Sequence, residues 1–281
     1  MPSFPTERAR LKVRNPAGDV RVEAADVAET TVELVPLNST DATRQAIENA
    51  RVEAVGDDVF VELVGRNWTL SIGEWSVGRA AKVGVRIRCP QGSDLDCDTA
   101  SAPVAAGGRL GDVKVRTASG TLQLDHVGGM LHAKSASGDL RVERVDGRAE
   151  VHTVSGDVEV RDAAEAISVN AISGDVEIGA AGAPLSVTSV SGDLRIGAAG
   201  PGEIQLKSVS GDVDVALRAA LAVRLDVNSV SGTITSELEV GEAPPTVEGP
   251  EADLRVRTVS GDVRIGRVQS PASESARIAL A

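Results

Sequence analysis

Aromatic residues are almost missing from this chain of 281 residues. It has no tyrosine, and its only rings outside histidine are Phe4, Phe60, Trp68 and Trp75. Proteins that bind single-stranded nucleic acid stack the bases on aromatic side chains, and many glycan binders also use rings. The net charge of −12 opposes contact with DNA, RNA and anionic lipid. We therefore expect no nucleic-acid partner.

Long apolar runs are missing too. No stretch reaches the roughly 20 residues of a membrane-spanning helix, so we expect no direct membrane insertion. Residues 1–7 have neither a basic start nor an apolar segment, unlike a secretory signal. Cys89 and Cys97 are too few for a disulfide framework, and Cys97 falls on an inward position. These absences favour a cytoplasmic protein, with surface export by another route as the alternative.

What the sequence has instead is an internal repeat. Ser-Gly-Asp or a close variant recurs, most often every 18 residues. Around each glycine, aliphatic residues favour the positions two and four residues later and five residues earlier, and this alternation is typical of strands. Glycine is expected to make the turn between strands, because it adopts positive φ without strain. The turn glycines are Gly120, Gly138, Gly156, Gly174, Gly192, Gly211, Gly232 and Gly261.

Stacking of these units explains how they form a core. One strand–turn–strand unit buries little alone, whereas stacked units pair strand with strand and bury their aliphatic columns. The repeat therefore predicts an all-β fold, a β-solenoid with coils of about 18 residues. A propeller blade needs about 40 residues. The hexapeptide helix needs an aliphatic residue at every sixth position, and calcium-binding rolls need Gly-Gly-x-Gly-x-Asp; the sequence has neither pattern.

The ends of the chain depart from the repeat. Residues 1–92 are predicted to form a first repeat arm and an N-terminal α+β cap. Residues 93–266 are the predicted solenoid, with an acidic loop inserted at 237–252, and residues 267–281 are predicted to be a flexible tail. The elements predicted in the cap are a helix within 39–50 and strands at about 51–56, 58–64 and 83–88.

The repeats resemble those of a bacterial protein family. Serial copies of Val-Ser-Gly-Asp-Val, with the opening Met1-Pro2-Ser3-Phe4 and the arm Gly18-Asp19-Val20, are similar to the DUF4097 or toast-rack proteins of actinobacterial type. The resemblance implies a β-solenoid without known catalytic residues. It also implies a role near the cell envelope, in adhesion or in the response to membrane stress. The copies are Val154–Val158, Val190–Leu194, Val209–Val213 and Val259–Val263.

A column of carboxylates follows the turn glycines. If the coils stack, these side chains lie about 5 Å apart and repel one another. Ca²⁺, which binds several carboxylate oxygens, would offset the repulsion. Alternatively, each aspartate caps its own turn, faces water and is neutralised by nearby arginines. No other cofactor is expected. The column consists of Asp139, Asp157, Asp175, Asp193 and Asp212.

Histidine and tryptophan offer further candidate positions. His132 and His152 would be neighbours on adjacent coils only if the register slipped. They and His126 are expected to be solvent-facing strand residues, with a metal or acid–base pair as the alternative. Trp68 and Trp75 are expected in the core of the cap, with an exposed partner contact as the alternative.

The regularity of the columns argues against an enzyme. Hydrolases that act on polysaccharides need paired carboxylates, in shaped subsites that are often aromatic. The favoured interpretation is a non-catalytic scaffold or binding module for an unidentified protein or polymer, linked to envelope or stress response. An exported surface adhesin is the first alternative, and a polysaccharide-active enzyme is the second.

Overall fold

The computed structural model describes residues 2–63, 81–219, 221–238 and 250–268. The chain divides into an N-terminal unit, Met1–Gly156, and a C-terminal unit, Asp157–Ala281. Strands dominate both units, which confirms the predicted all-β class. In the described ranges, no helix is long and apolar enough to cross a membrane. The capping role of residues 1–92 stays a prediction.

The N-terminal unit contains one helix and fourteen described strands. Its elements are β1 (Ser3–Pro5), β2 (Arg10–Asn15), β3 (Gly18–Ala25), β4 (Glu29–Pro36), α1 (Asp41–Glu48), β5 (Arg51–Val55), β6 (Asp58–Glu62), β7 (Val83–Pro90), β8 (Asp94–Thr99), β9 (Val104–Leu110), β10 (Val113–Thr117), β11 (Leu122–Val127), β12 (Leu131–Ser135), β13 (Leu140–Val145) and β14 (Ala149–Ser155).

These strands form two sheets of stacked coils. The strand orders are β1-β4-β7-β3-β9-β11-β13 and β14-β12-β10-β8-β2-β6-β5. Successive coils pair in parallel with equivalent residues side by side, as Val115 of β10 does with Ala133 of β12. The antiparallel pairs described here all involve β1, β4 or β5, where the chain departs from the repeat.

The helix α1 lies within the predicted range 39–50, and Thr40 caps its N-terminus. The Thr40 hydroxyl accepts a hydrogen bond from the backbone amide of Thr43 at 3.3 Å, which satisfies a free donor of the first turn. The buried Thr43 hydroxyl accepts another from the Lys82 amide at 3.0 Å. The second bond attaches α1 to the residue that precedes β7.

The C-terminal unit contains only strands in its described part. They are β15 (Val158–Ala163), β16 (Ile167–Ser173), β17 (Val176–Ala181), β18 (Leu185–Ser191), β19 (Leu194–Ala199), β20 (Gly202–Ser210), β21 (Val213–Leu217), β22 (Ala222–Ser231), β23 (Ile234–Ser236), β24 (Glu251–Ser260) and β25 (Val263–Arg267). The two sheets have the orders β15-β17-β19-β21-β25-β23 and β16-β18-β20-β24-β22.

The final coil of the sequence is not the outermost coil of this unit. Val263 of β25 is the register partner of both Val213 and Ile234. The coil β24–β25 therefore lies between β20–β21 and β22–β23, whereas stacking in sequence order would place β23 beside β21. As a result, β22–β23 ends the described stack.

Aliphatic columns fill the interior of the C-terminal unit. The residues two positions after the turn glycines on the inner coils are at most 1% exposed; they are Val158, Val176, Leu194, Val213 and Val263. Ile234 occupies the same position on the outermost coil and is 46% exposed. Burial is therefore complete on the inner coils and partial on the last one.

Candidate functional site

Seven of the eight predicted turn glycines, all except Gly174, share a close backbone neighbour rather than one φ. At Gly138, a Cβ atom would lie 2.1 Å from the carbonyl oxygen of Gly120, and at Gly192 it would lie 2.2 Å from that of Gly174. Glycine is needed because the adjacent coil fills the space of a side chain. The expectation that every turn glycine has positive φ is wrong for Gly120 and Gly138. The copies with φ between +110° and +143° are Gly156, Gly174, Gly192, Gly211, Gly232 and Gly261.

Hydrogen bonds join the aspartates of the C-terminal unit into a ladder. The Asp157 Oδ1 atom accepts from the Asp175 amide at 3.0 Å, and Asp175 Oδ1 accepts from the Asp193 amide at 2.9 Å. The bond recurs from the Asp212 amide to Asp193 and from the Asp262 amide to Asp212, each at 2.9 Å. We call Asp157, Asp175, Asp193, Asp212 and Asp262 the aspartate ladder.

The ladder explains how stacked carboxylates are tolerated. Each amide donor places partial positive charge beside a carboxylate, so each bond offsets part of the mutual repulsion. Arg195 adds positive charge, with Nη2 at 2.9 Å from Asp193 and Nη1 at 3.7 Å from Asp175. In the described part of the chain, no three His, Cys, Asp or Glu side chains are placed to hold one metal ion. Binding of Ca²⁺ to the column, which also includes Asp139 of the N-terminal unit, stays a prediction.

A row of exposed aliphatic side chains runs along the C-terminal unit. Each lies two residues before a turn glycine, so each coil contributes one. We call this row the aliphatic ridge. Its members, in the order of the coils, are Ile172 (50% exposed), Val190 (46%), Val209 (48%), Val259 (49%) and Val230 (77%).

The ridge lies on the outward side of each strand, just before the turn. On β18, Leu185, Val187 and Ser189 point inward and are buried, whereas Val190 and Ser191 are both exposed. The residue before each glycine is an exposed serine on all five coils. The ridge is therefore bordered by small hydroxyls, and on four of the five coils an aspartate of the ladder lies three residues after the ridge residue. This arrangement combines an apolar row with a parallel row of negative charge.

The ridge was not among the candidates from the sequence, although the signal was present. The valine or isoleucine before Ser-Gly is out of phase with the inward columns five and seven residues before the glycine. An aliphatic residue repeated out of phase predicts an exposed apolar row. Because this residue lies beside the turn glycine, the sequence alone also allows it a role in forming the turn.

Two histidines of the N-terminal unit lie closer than predicted. His132 Nδ1 is 3.2 Å from Glu150 Oε2, and His152 Nε2 is 2.8 Å from Glu150 Oε1. The ring centroids are 6.2 Å apart, without any slip in the register. Both positions point to the same face, and long side chains reach diagonal neighbours. Hydrogen bonds from His152 and then His132 lower the pKa of Glu150.

The third histidine joins a separate charged cluster. His126 Nε2 lies 2.8 Å from Asp146 Oδ2, Arg144 Nε lies 2.8 Å from Oδ1, and Arg109 Nη2 lies 3.3 Å from Oδ2. The hydrogen bond from Arg144, followed by that from His126, holds the pKa of Asp146 well below its usual range. These contacts keep the Asp146 carboxylate ionised near neutral pH.

Both cysteines are buried, and neither forms a disulfide bond. Burial raises the pKa of the Cys89 thiol to about 11, against a lowering effect of the hydrogen bond with Ser93. Burial, followed by the nearby carboxylates of Asp98 and Asp96, raises the pKa of the Cys97 thiol well above its usual range. Cys97 thus occupies the predicted inward position, and neither thiol is activated as a nucleophile.

Some positions predicted from the sequence lie outside the residues that the structure describes. Trp68 and Trp75 lie outside them, as do residues 239–249 of the acidic insert and 269–281 of the tail. The proposed contact of Trp68 and Trp75 with a partner therefore stays a prediction.

A cleft of about 750 Å³ lies on the outer face of the N-terminal unit. Ala105 has only a methyl group and Gly107 has no side chain, so this part of β9 lies low between the longer side chains of β3 and β11. Arg86 donates two hydrogen bonds of 2.8 Å to Asp19, and further arginines and carboxylates line the walls. Because side chains of both charges line the cleft, it favours neither anionic nor cationic ligands. It is therefore a weaker candidate binding site than the ridge.

A family model, Toastrack DUF4097, matches residues 9–266 of the chain. The comparison of this chain with curated proteins found no match. Among solved structures, a candidate adhesin from Bacteroides fragilis is similar, with 13% identity over 94% of this chain and 95% of that chain and a TM-score of 0.45. A candidate adhesin from Parabacteroides merdae has 12% identity over 95% of each chain and a TM-score of 0.39. A candidate cell adhesion protein from Clostridium sporogenes has 11% identity over 95% of this chain and 98% of that chain, with a TM-score of 0.23.

Proposed function

Because the chain belongs to the Toastrack DUF4097 family over residues 9–266, we propose that it is a non-catalytic binding module. Its aliphatic ridge docks a partner protein. The observation that carries this proposal is the exposure of the ridge. Val190, Val209 and Val259 are 46–49% exposed, in a unit whose inner aliphatic columns are almost fully buried. Grouped apolar side chains on a protein surface are typical of interaction sites.

The geometry of the ridge defines the partner surface. Equivalent residues on paired strands are about 4.8 Å apart, so five ridge side chains span about 19 Å. A strand of about six residues has the same length. The matching surface is a straight apolar row on the partner, which would cover the ridge and the exposed serines beside it.

The charge beside the ridge favours a basic partner. Asp157 and Asp175 of the ladder are exposed, and the whole chain has a net charge of −12. Positive charge flanking the apolar row of the partner would pair with this field and accelerate association. The family resemblance supports a partner linked to the cell envelope or to stress response.

A peptide of alternating leucine and lysine, labelled with fluorescein, tests the proposal. In an extended strand it presents one apolar face and one basic face. Fluorescence anisotropy should show binding to the full chain that weakens as salt is added. The variant Val190→Ser/Val209→Ser/Val259→Ser should lose most of this binding, because it removes three ridge side chains.

Two controls distinguish specific binding at the ridge from nonspecific hydrophobic binding. The triple variant Leu37→Ser/Val55→Ser/Met130→Ser removes three other exposed apolar residues and should bind like the wild type. A leucine–glutamate peptide should not bind. Equal binding by the ridge variant and the control variant, or no binding of the leucine–lysine peptide to the wild type, would overturn the proposal.

A further inference from the structure

Strand β22 (Ala222–Ser231) is the outer edge of the second sheet of the C-terminal unit. It pairs with β24 on one side, and none of the described strands pairs with its other side. The Ala222 amide donates to the Pro250 carbonyl beside β24, so even-numbered residues direct their backbone groups toward β24. Val223, Leu225 and Val227 therefore direct theirs outward. A row of unpaired donors and acceptors is a template for another strand.

The inward side chains of β22 are only partly covered. Val223, Leu225 and Val227 are half-buried. Their register partners on β24 are Ala252, Leu254 and Val256, which are at most 2% exposed. A further strand beside β22 would bury the apolar surface that remains exposed.

The outward side chains of β22 carry one charge of each sign. Arg224 and Asp226 are exposed, and they face Asp253 and Arg255 of β24. Arg255 is already paired, at 2.9 Å, with both Asp253 and Glu203. Within the described ranges, Arg224 and Asp226 have no ion pair of 4.0 Å or shorter. Both charges are therefore available to a strand added at the edge.

We infer that β22 pairs in antiparallel fashion with β22 of a second copy, about a two-fold axis at Leu225. Arg224 then lies opposite Asp226 of the partner subunit, and the same pair recurs on the other side of the axis. These are non-hydrogen-bonded pairs, in which side chains approach most closely. An axis at Val227 would place Asp226 opposite a neutral asparagine. The charges therefore favour the register centred on Leu225.

Charge reversal and mixing test this interface. We expect the wild-type chain to show a concentration-dependent mass approaching twice 28.9 kDa in sedimentation equilibrium. Arg224→Glu alone places glutamate opposite aspartate, and Asp226→Arg alone places arginine opposite arginine, so each variant should be largely monomeric. An equimolar mixture of the two restores both attractive pairs and should restore the dimer. A change in folding cannot produce this rescue.

A proline variant provides a second test. Val227→Pro removes one outward amide while leaving the pairing with β24 intact, and it should favour the monomer. Circular dichroism of each variant checks that the fold is retained. A wild-type mass of 28.9 kDa at every accessible concentration would overturn the inference. A dimer that the single reversals do not weaken, or that mixing does not restore, would also overturn it.

Discussion

The backbone amide of Asp212 donates a hydrogen bond of 2.9 Å to Oδ1 of Asp193. Asp193 also donates through its own amide to Oδ1 of Asp175, at 2.9 Å. The turn of Asp193 is thus bonded to the turns on both sides. The Ser-Gly-Asp repeat therefore specifies contact between coils as well as the turn within one coil.

Substitution of Asp193 separates the hydrogen bond from the charge. Asp193→Ala removes the acceptor for the Asp212 amide and should lower the free energy of unfolding by about 1–2 kcal/mol. Asp193→Asn keeps Oδ1 as an acceptor and removes one of the repelling charges, so it should have a smaller effect. Loss of the exposed pair with Arg195 matters little in either variant. Urea denaturation measures the difference; equal losses would show that the charge, rather than the bond, stabilises the turn.

Substitution of a turn glycine tests the close approach between coils. Gly192 has a φ of +125°, and a Cβ atom there would lie 2.2 Å from the Gly174 carbonyl oxygen. Gly192→Ala should therefore lower the free energy of unfolding by more than about 1 kcal/mol. Gly56→Ala is the matched control, because Gly56 has a φ of +62° with no atom near the Cβ position. Similar melting temperatures for the two variants would contradict the close approach.

The strands and core of the coils could be predicted because one pattern specifies them repeatedly. Val176, Leu194 and Val213 recur at the same distance from a glycine, and all are buried. The helix predicted within 39–50 is a similar case, because the Thr40 hydroxyl satisfies an amide of its first turn that the helix itself cannot. In both cases a local chemical requirement determines the structure.

The coil order and the ridge could not be predicted in the same way. Val213, Ile234 and Val263 occupy equivalent positions, so the repeat pattern does not specify which coil lies next to which. The ridge valines are out of phase with the inward columns, but their place beside the turn glycine does not show from sequence alone that the strand extends to them. The proximity of His132 and His152 depends on diagonal reach between coils, which column positions do not describe.

The burial of both thiols predicts low reactivity in the folded protein. At pH 8 the Cys89 thiol, with a pKa of about 11, is almost fully protonated. The pKa of Cys97 is also raised, so both should react slowly with Ellman's reagent. In denaturant, two thiols per chain should react rapidly. Rapid reaction of one thiol in the folded chain would contradict its buried position.

The lowered pKa of Asp146 predicts a stability difference that depends on pH. A carboxyl group with a lowered folded-state pKa stabilises the fold above its ordinary pKa of 3.8 and loses this contribution as pH falls through the lowered value. Asp146→Asn should therefore be less stable than the wild type at pH 7, by up to about 1 kcal/mol. The difference should narrow at pH values below 3.8. A constant difference across this range would exclude the ionised carboxylate as its cause.

The most direct test of the binding role is a methyl ¹H–¹³C NMR titration of the full chain with the leucine–lysine peptide. Single substitutions assign the ridge methyl groups. The account predicts the largest shift changes at Val190, Val209 and Val259, with little change at the exposed Val55, which lies outside the ridge. Shift changes centred on another surface, with the ridge methyl signals unchanged, would contradict the assignment of the ridge as the binding site.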